Sequence, residues 1–294
     1  SLSYQFVRAY LAAPPRPDSW YIRPAEKKAR PFLSIVMRTT GRELFPLRDV
    51  LNCLVGQTNQ DFEVLLVGHN LDLERQVNVE RVLETVPRAM LHRIRFLRTE
   101  GGNRTVPLNL GYAQAAGRYI VTLDDDDLVF GHYVSTFRQL ADIYPGRLLR
   151  VRCTAQNARE SSVRGGSPGA ISTGPIRTEY PANFDFVNHL HDNFTPCMSV
   201  AYPREVFHVF NLKFDEDLST AEDYDMMMRA YSLFGIAESP EITCIYRRWE
   251  GKASSSQIHS AEEWAQNHDR IKTKLDRMAV ILCSGELAEI RRRT

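Results

Sequence analysis

Between Phe32 and Cys153, short apolar runs alternate with segments of helical period. Leu33–Met37 reads as a buried strand, and Leu47–Leu54 as a helix with Leu47, Val50, Leu51 and Leu54 on one face. Phe62–Val67 predicts a second strand closed by Gly68, Leu73–Val86 a helix, and Ile94–Leu97 a third strand. Val106–Ala116 predicts a helix ending at Gly117, and Tyr119–Leu123 a fourth strand that runs straight into four aspartates. This βαβα rhythm predicts an α/β fold, a Rossmann-like, mostly parallel sheet flanked by helices. Such sheets bind ligands beyond the carboxyl ends of their strands, where the aspartates fall.

The flanking segments follow other patterns. Pro14, Pro15, Pro17, Pro24 and Pro31 mark residues 1–30 as an arm, and Tyr4, Phe6, Tyr10, Trp20 and Tyr21 predict that it is pinned to the body. Arg159–Gly174, rich in Ser, Gly and Arg, reads as a mobile loop. Met198–Tyr202 and Ile242–Arg247 read as strands. Pro203 to Val209, Ala221–Phe234 and Ala261–Leu282 read as helices, the last long and amphipathic. The expected units are the arm 1–30, a first half 31–153, a second half 154–260, and a C-terminal helix 261–294 that packs on the body, a partner domain or a second copy.

Composition narrows the classes. The 294 residues carry 37 Lys+Arg against 36 Asp+Glu, and 43% are hydrophobic, which supports a sizeable core and excludes wholesale disorder. A net charge of +1 argues against a chain held globally to nucleic acid. No run reaches the ~18 apolar residues of a membrane-spanning helix. The five cysteines (Cys53, Cys153, Cys197, Cys244, Cys283) are scattered, odd in number and without zinc-site spacing, so reduced thiols in a cytosolic protein are expected. The first residue is Ser1, which leaves flanking segments open.

Two acidic constellations carry the chemistry. Asp124-Asp125-Asp126-Asp127 at a strand end repel one another, and a hard divalent cation, Mg²⁺ or Mn²⁺, resolves the repulsion while sharing substrate phosphates. The alternative is an acidic turn capping the next helix. The second runs from Phe214-Asp215-Glu216 to Ala221-Glu222-Asp223-Tyr224-Asp225 and Arg229. Asp225 and Arg229 can pair at i, i+4, and Asp223 in the first helical turn can act as general base on an incoming hydroxyl. The alternative there is a well-capped, solvated helix start. Together they point to metal-assisted transfer from a nucleotide-diphosphate donor. A nucleotidyltransferase or two-metal phosphatase is the second reading, although Arg38–Arg42 has one Gly and no Lys. A degenerate, non-catalytic sugar-binding module is the third.

Over roughly residues 31–250 the chain resembles the family 2 glycosyltransferases of GT-A fold. The resemblance rests on Pro31–Arg42, on Leu54-Val55-Gly56-Gln57-Thr58 with Asp61-Phe62-Glu63-Val64, and on Asn109-Leu110-Gly111 with Ala116–Ile120 running into Leu123–Asp127. Its last part is Phe214-Asp215-Glu216 with Glu222-Asp223-Tyr224-Asp225 and Arg229, similar to the family's "ED" helix. It implies an inverting enzyme whose nucleotide-sugar half is 31–153 and whose smaller acceptor half is 154–260. Thr39 and Arg42 would border base and ribose, with Asn109, Asp124 and Asp125 also on the donor side. Asp126 would hold the cation, Asp223 would be the catalytic base, and Glu222 beside it would orient the acceptor or donor sugar.

Departures from the family pattern are Gly68-His69-Asn70, where acidic residues are usual, and Pro107-Leu108-Asn109, which lacks an arginine that Arg104 could replace. His259 is a candidate further metal ligand, and His191, near His189 and Asp192, a candidate acceptor contact. Tyr246-Arg247-Arg248-Trp249 resembles the Q-x-x-R-W motif of processive synthases without its Gln. A non-processive enzyme is therefore expected, with Trp249 on an acceptor sugar and Arg247 or Arg248 on phosphate. The implied acceptor is a carbohydrate, lipid-linked glycan or glycoprotein in surface polysaccharide or glycoconjugate synthesis, at the cytoplasm or the inner face of the membrane.

Overall fold

A computed structural model describes residues 30–162, 168–251, 258–280 and 284–293. The expected arm, apart from Arg30, and Cys283 lie outside the described residues. The first half follows its pattern: β1 (Leu33–Thr39), α1 (Leu44–Val55), β2 (Phe62–His69), α2 (Leu73–Glu84), a one-turn α3 (Arg88–Leu91), β3 (Ile94–Thr99), α4 (Thr105–Gln114) and β4 (Tyr119–Thr122). Then come β5 (Leu128–Val129), α5 (Tyr133–Ile143), β6 (Leu148–Ser162), β7 (Pro168–Ser172), a short α6 (Phe186–His189), β8 (Val200–Pro203) and α7 (Arg204–His208). The chain closes with α8 (Glu222–Phe234), β9 (Ile236–Trp249), α9 (Ala261–Asp276) and α10 (Ser284–Arg293).

The strands form one nine-stranded sheet in the order β3-β2-β1-β4-β8-β6-β9-β5, with β7 paired to β6. The first four are mutually parallel; β8 joins β4 antiparallel, and β6 and β9 run parallel to each other. Strand β1 is buried on both faces because side-chain direction alternates along it. Leu33, Ile35 and Met37 enter one apolar cluster, and Val36 enters the other.

Motif residues make the close contacts between layers. A Cβ on Gly117 would stand 2.6 Å from the Ser34 nitrogen, and one on Gly111 2.3 Å from the Val36 side chain, so both sites need glycine for close approach. Ser34 Oγ donates to Glu63 and accepts from the Gly117 N–H, tying β1, β2 and the turn before β4 together. Buried Gln57 donates to the Cys53 and Phe130 carbonyls and accepts from the Val134 N–H, stapling α1 to α5.

Two expectations are corrected. Arg159–Gly174 is not wholly loop: β6 extends to Ser162 and pairs antiparallel with β7, Ala158 opposite Ser172. The expected helix Ala261–Leu282 ends at Asp276, where the Arg277 N–H caps Leu275 and Lys274 carbonyls, and a separate helix begins at Ser284.

Candidate active site

The strand order reverses between β1 and β4, so their carboxyl ends open a crevice. Arg38, near the end of β1, reaches across it: Nη2 lies 3.2 Å from Asp124 Oδ1 and Nη1 3.0 Å from Glu222 Oε1. Arg104 Nε meets the same Glu222 oxygen at 2.8 Å. Glu222, its side chain only 4% exposed, is therefore held by two guanidinium groups. Arg104, by sequence a candidate replacement for the missing arginine, belongs to this clamp. Burial opposes the Arg38 charge, but Asp124 and Glu222 outweigh it and raise its pKa. In Arg38→Ala the two acidic segments lose their shared counter-charge. We expect a loss of about 3 kcal/mol in urea unfolding, the range for breaking a buried pair, and an unchanged midpoint would refute the bridge.

The four aspartates have separate environments. Asp125 is pushed up to about 7 by burial and then Asp126, against a hydrogen bond with Thr39. Thr39 is buried and also accepts from the Gly41 N–H at 3.1 Å. Asp126 is pushed up to about 6 by burial and Asp124, against Arg247 and the Trp249 indole. Asp127 is raised by burial and its neighbours; its Oδ1 accepts from the Arg247 N–H at 2.8 Å, and its Oδ2 is buried without a hydrogen bond. The Arg247 guanidinium is engaged by Asp49 at 3.1 Å and lies over the Trp249 ring. Asp127 is thus the anchor of the run to β9.

Asp223 opens α8 beneath a cavity of about 260 Å³ lined also by Arg38, Asp124, Asp192 and Asn193. Ala221, the residue just before α8, has φ 58°, left-handed backbone unusual for a side chain with Cβ and frequent at functional sites. Burial and then Glu222 push Asp223 up to about 6, against Arg104, and its Oδ2 accepts from the Asn193 amide at 3.3 Å. The expected Asp225–Arg229 pair is present at 2.6 Å, but Asp225 is buried and shared with Lys274 at 2.8 Å, so this helix start is not simply solvated.

Other candidates sit elsewhere. Asn109 binds the Phe214 backbone and Glu216, holding the loop before α8. Arg42 is exposed on the loop after β1. His69 and Asn70 brace Gly101. His191 is exposed, whereas His189 is buried between the Asp185 carbonyl and Thr195. His259 pairs with Glu263 at 3.0 Å. Trp249 stacks edge-on against Phe45 beside Asp126, on the carboxylate side of the crevice. The cavity walls also include Tyr246, from the run that ends at Trp249, and Tyr180, Trp264 and His268, which carry no motif in the sequence.

Among the described residues no three His, Cys, Asp or Glu side chains form a metal cage. Adjacent carboxylates with raised pKa values, and an Asp127 oxygen buried without a hydrogen bond, are nevertheless of the donor chemistry that suits a divalent cation. No helix among the described residues is long and apolar enough to cross a membrane. Cys53, Cys153, Cys197 and Cys244 are free thiols.

No family model matches the chain. It is 26% identical over 206 residues to EpsJ of Bacillus subtilis (strain 168), described as an uncharacterized glycosyltransferase, covering 68% of this chain and 56% of EpsJ. Residues 1–349 of S. aureus TarS, in a crystal structure with UDP-GlcNAc, superpose with TM-score 0.62 at 19% identity, covering 82% of this chain and 65% of that one. The mannosyltransferase PcManGT from Pyrobaculum calidifontis, with GDP-Man and Mn²⁺, superposes with TM-score 0.59 at 17% identity, covering 96% and 72%. The chain is thus similar in sequence to a curated glycosyltransferase and shares the GT-A-type fold of solved ones.

Proposed function

We propose that this chain is a metal-dependent, inverting glycosyltransferase that moves a sugar from a nucleotide-diphosphate donor to a glycan-type acceptor hydroxyl. The observation that carries the reading is Asp223: a carboxylate with pKa about 6 in a cavity it shares with Asp124. A base of that pKa is deprotonated at neutral pH yet still takes a proton as the hydroxyl attacks. The acceptor O–H gives its proton to Asp223, its oxygen bonds to the anomeric carbon from the face opposite the diphosphate, and the bond to the diphosphate oxygen breaks. One displacement inverts the centre and leaves no sugar–enzyme bond.

Thr39 and Arg42 would border base and ribose, and Asp124 and Asp125 the ribose and sugar. Asp126 would hold Mn²⁺ or Mg²⁺ with the diphosphate, supported by Trp249. The cation would supply charge stabilisation for the departing nucleoside diphosphate. Arg38 and Arg104 fix Glu222 and so position α8, with Asp223, against the carboxylates. UDP-GlcNAc in TarS and GDP-Man with Mn²⁺ in PcManGT support the donor class and the cation. EpsJ supports a glycosyltransferase role, which we place in surface polysaccharide or glycoconjugate synthesis on the cytoplasmic side of the membrane.

The test is a thermal-shift series with UDP, GDP and their sugars, each with and without Mn²⁺. Binding to the native state alone raises the melting temperature, by about 2.7 kcal/mol of stability for ligand at 100 times its Kd. One nucleotide is expected to give a Mn²⁺-dependent shift. Absence of any shift would sink the donor assignment.

A further inference from the structure

Helix α9 is built into the candidate active site. On one face its residues are spaced 263, 267, 270 and 274, and all hold the loop that leads into α8. Glu263 accepts from Ser219, and the Asn267 amide donates to Ser219 Oγ at 3.0 Å and Thr220 Oγ1 at 2.8 Å. Arg270 donates to the Asp217 carbonyl at 2.8 Å, and Lys274 joins Asp215 to buried Asp225. This face fixes the approach to Ala221 and therefore the place of Asp223.

The neighbouring stripe of the same helix, Trp264 and His268, enters the wall of the cavity that contains Asp223, Asp192 and Asn193. The Trp264 indole packs partly against the apolar cluster beneath, and the His268 ring stands 6.2 Å from it and 6.0 Å from Tyr224. Trp264 Nε1 is buried and has no hydrogen-bond partner. A buried indole N–H normally finds an acceptor, and leaving it unpaired is unfavourable. The Trp264 side chain also lines the cavity, so its ring is within reach of a ligand there.

The charges around the cavity limit which ligand this can be. Both arginines on its wall are already committed, Arg38 to Asp124 and Glu222 and Arg104 to Glu222. Asp192 and Asp223 instead offer carboxylate acceptors for hydroxyl donors. An anionic group would enter next to those carboxylates without a spare guanidinium to meet it. An apolar ring face and carboxylate acceptors suit a polyhydroxylated ring.

We propose that Trp264 and His268 form the acceptor-sugar platform, and that the sugar seated there is an uncharged pyranose rather than a uronic acid or sugar phosphate. The proposal rests on the glycosyl-transfer reading for its catalytic meaning, but the subsite itself is tested by binding alone. The probes are methyl glucoside, methyl galactoside, methyl N-acetylglucosaminide and methyl mannoside, with methyl glucuronide and glucose 6-phosphate as charged comparators. Saturation-transfer NMR on the full chain, with and without UDP or GDP and Mn²⁺, reads their contact with protein.

At least one neutral glycoside is expected to receive saturation and the charged comparators none. Trp264→Ala is expected to weaken that binding by about tenfold or more, a change of about 1.4 kcal/mol. Trp264→Phe keeps a ring without the N–H and falls between, while His268→Ala weakens binding with the indole intact. The Mn²⁺-dependent nucleotide shift stays unchanged in all three. If Trp264→Ala does not fold, the Phe and His268 variants decide. No transfer to any neutral glycoside, equal transfer in the variants, or preference for the charged sugars overturns the platform. A wild-type chain that binds a neutral glycoside at Trp264 but shows no nucleotide shift overturns the glycosyl-transfer reading instead.

Discussion

In Asp223→Asn, glycosyl transfer falls by 10²–10⁴-fold, the usual contribution of a positioned general base, while the Mn²⁺-dependent nucleotide shift is retained. The substitution is nearly isosteric, and Asn can still meet the Asn193 amide that now faces Asp223 at 3.3 Å. Only proton acceptance is removed. Asp223 also sets the acid limb of the wild-type profile. Burial and Glu222 raise it to about 6, so the active, deprotonated form is lost as the pH falls through that value and turnover is level above it. Steady-state rates against pH, with nucleotide binding followed in parallel, check both parts. Normal turnover in Asp223→Asn would remove the assigned base.

Asp126→Asn has two opposite effects. Cation-dependent nucleotide binding falls by more than the 10–100-fold typical of losing an outer-shell partner, because a direct ligand carboxylate is removed. Stability without metal rises. Asp125 and Asp126 are pushed up to about 7 and about 6 by burial and by repulsion from neighbouring carboxylates, Asp126 on Asp125 and Asp124 on Asp126, whereas in the unfolded chain they titrate near the ordinary value of 3.8. Between those values the folded state binds more protons than the unfolded one, so this cluster's contribution falls as pH rises from about 4 to about 7. Asn at 126 removes one of the repelling charges and flattens that fall. Added Mn²⁺ stabilises wild type most at the alkaline end, where the carboxylates are ionised and available. Melting temperatures of both proteins across this window, in chelator and in Mn²⁺, measure each effect. A metal-free Asp126→Asn variant no more stable than wild type at neutral pH would contradict the repulsion.

Asp126 and Asp223 were both legible as residue types in a pattern, because four carboxylates at a strand end and a carboxylate in a first helical turn are chemically conspicuous. The clamp joining them was less so. Arg38 lies within a strand, and nothing along the chain indicates that it pairs with Asp124 and Glu222, which are 86 and 184 residues further on. Asn109 stood in a recognisable motif, yet its amide is used on Phe214 and Glu216. The β6–β7 hairpin escaped the pattern because β6 carries Arg150, Arg152, Arg159 and Glu160, and its polar end gives no alternation. Arg150 is buried there with Glu238 and the Pro181 and Ala182 carbonyls as partners.

The sequence by itself determined the parallel strands β1–β4, their order along the chain and the carboxylates at the end of β4. These follow from local periodicity and from chemistry within a few residues. Only the tertiary structure decided that Glu222 is clamped by Arg38 and Arg104, that Trp249 stands beside Asp126, and that α9 brings Trp264 and His268 to the cavity of Asp223. Each of those joins residues far apart in sequence. Ion pairing, ring packing and burial reward such contacts only after the sheet has brought their elements together, so no local pattern records them.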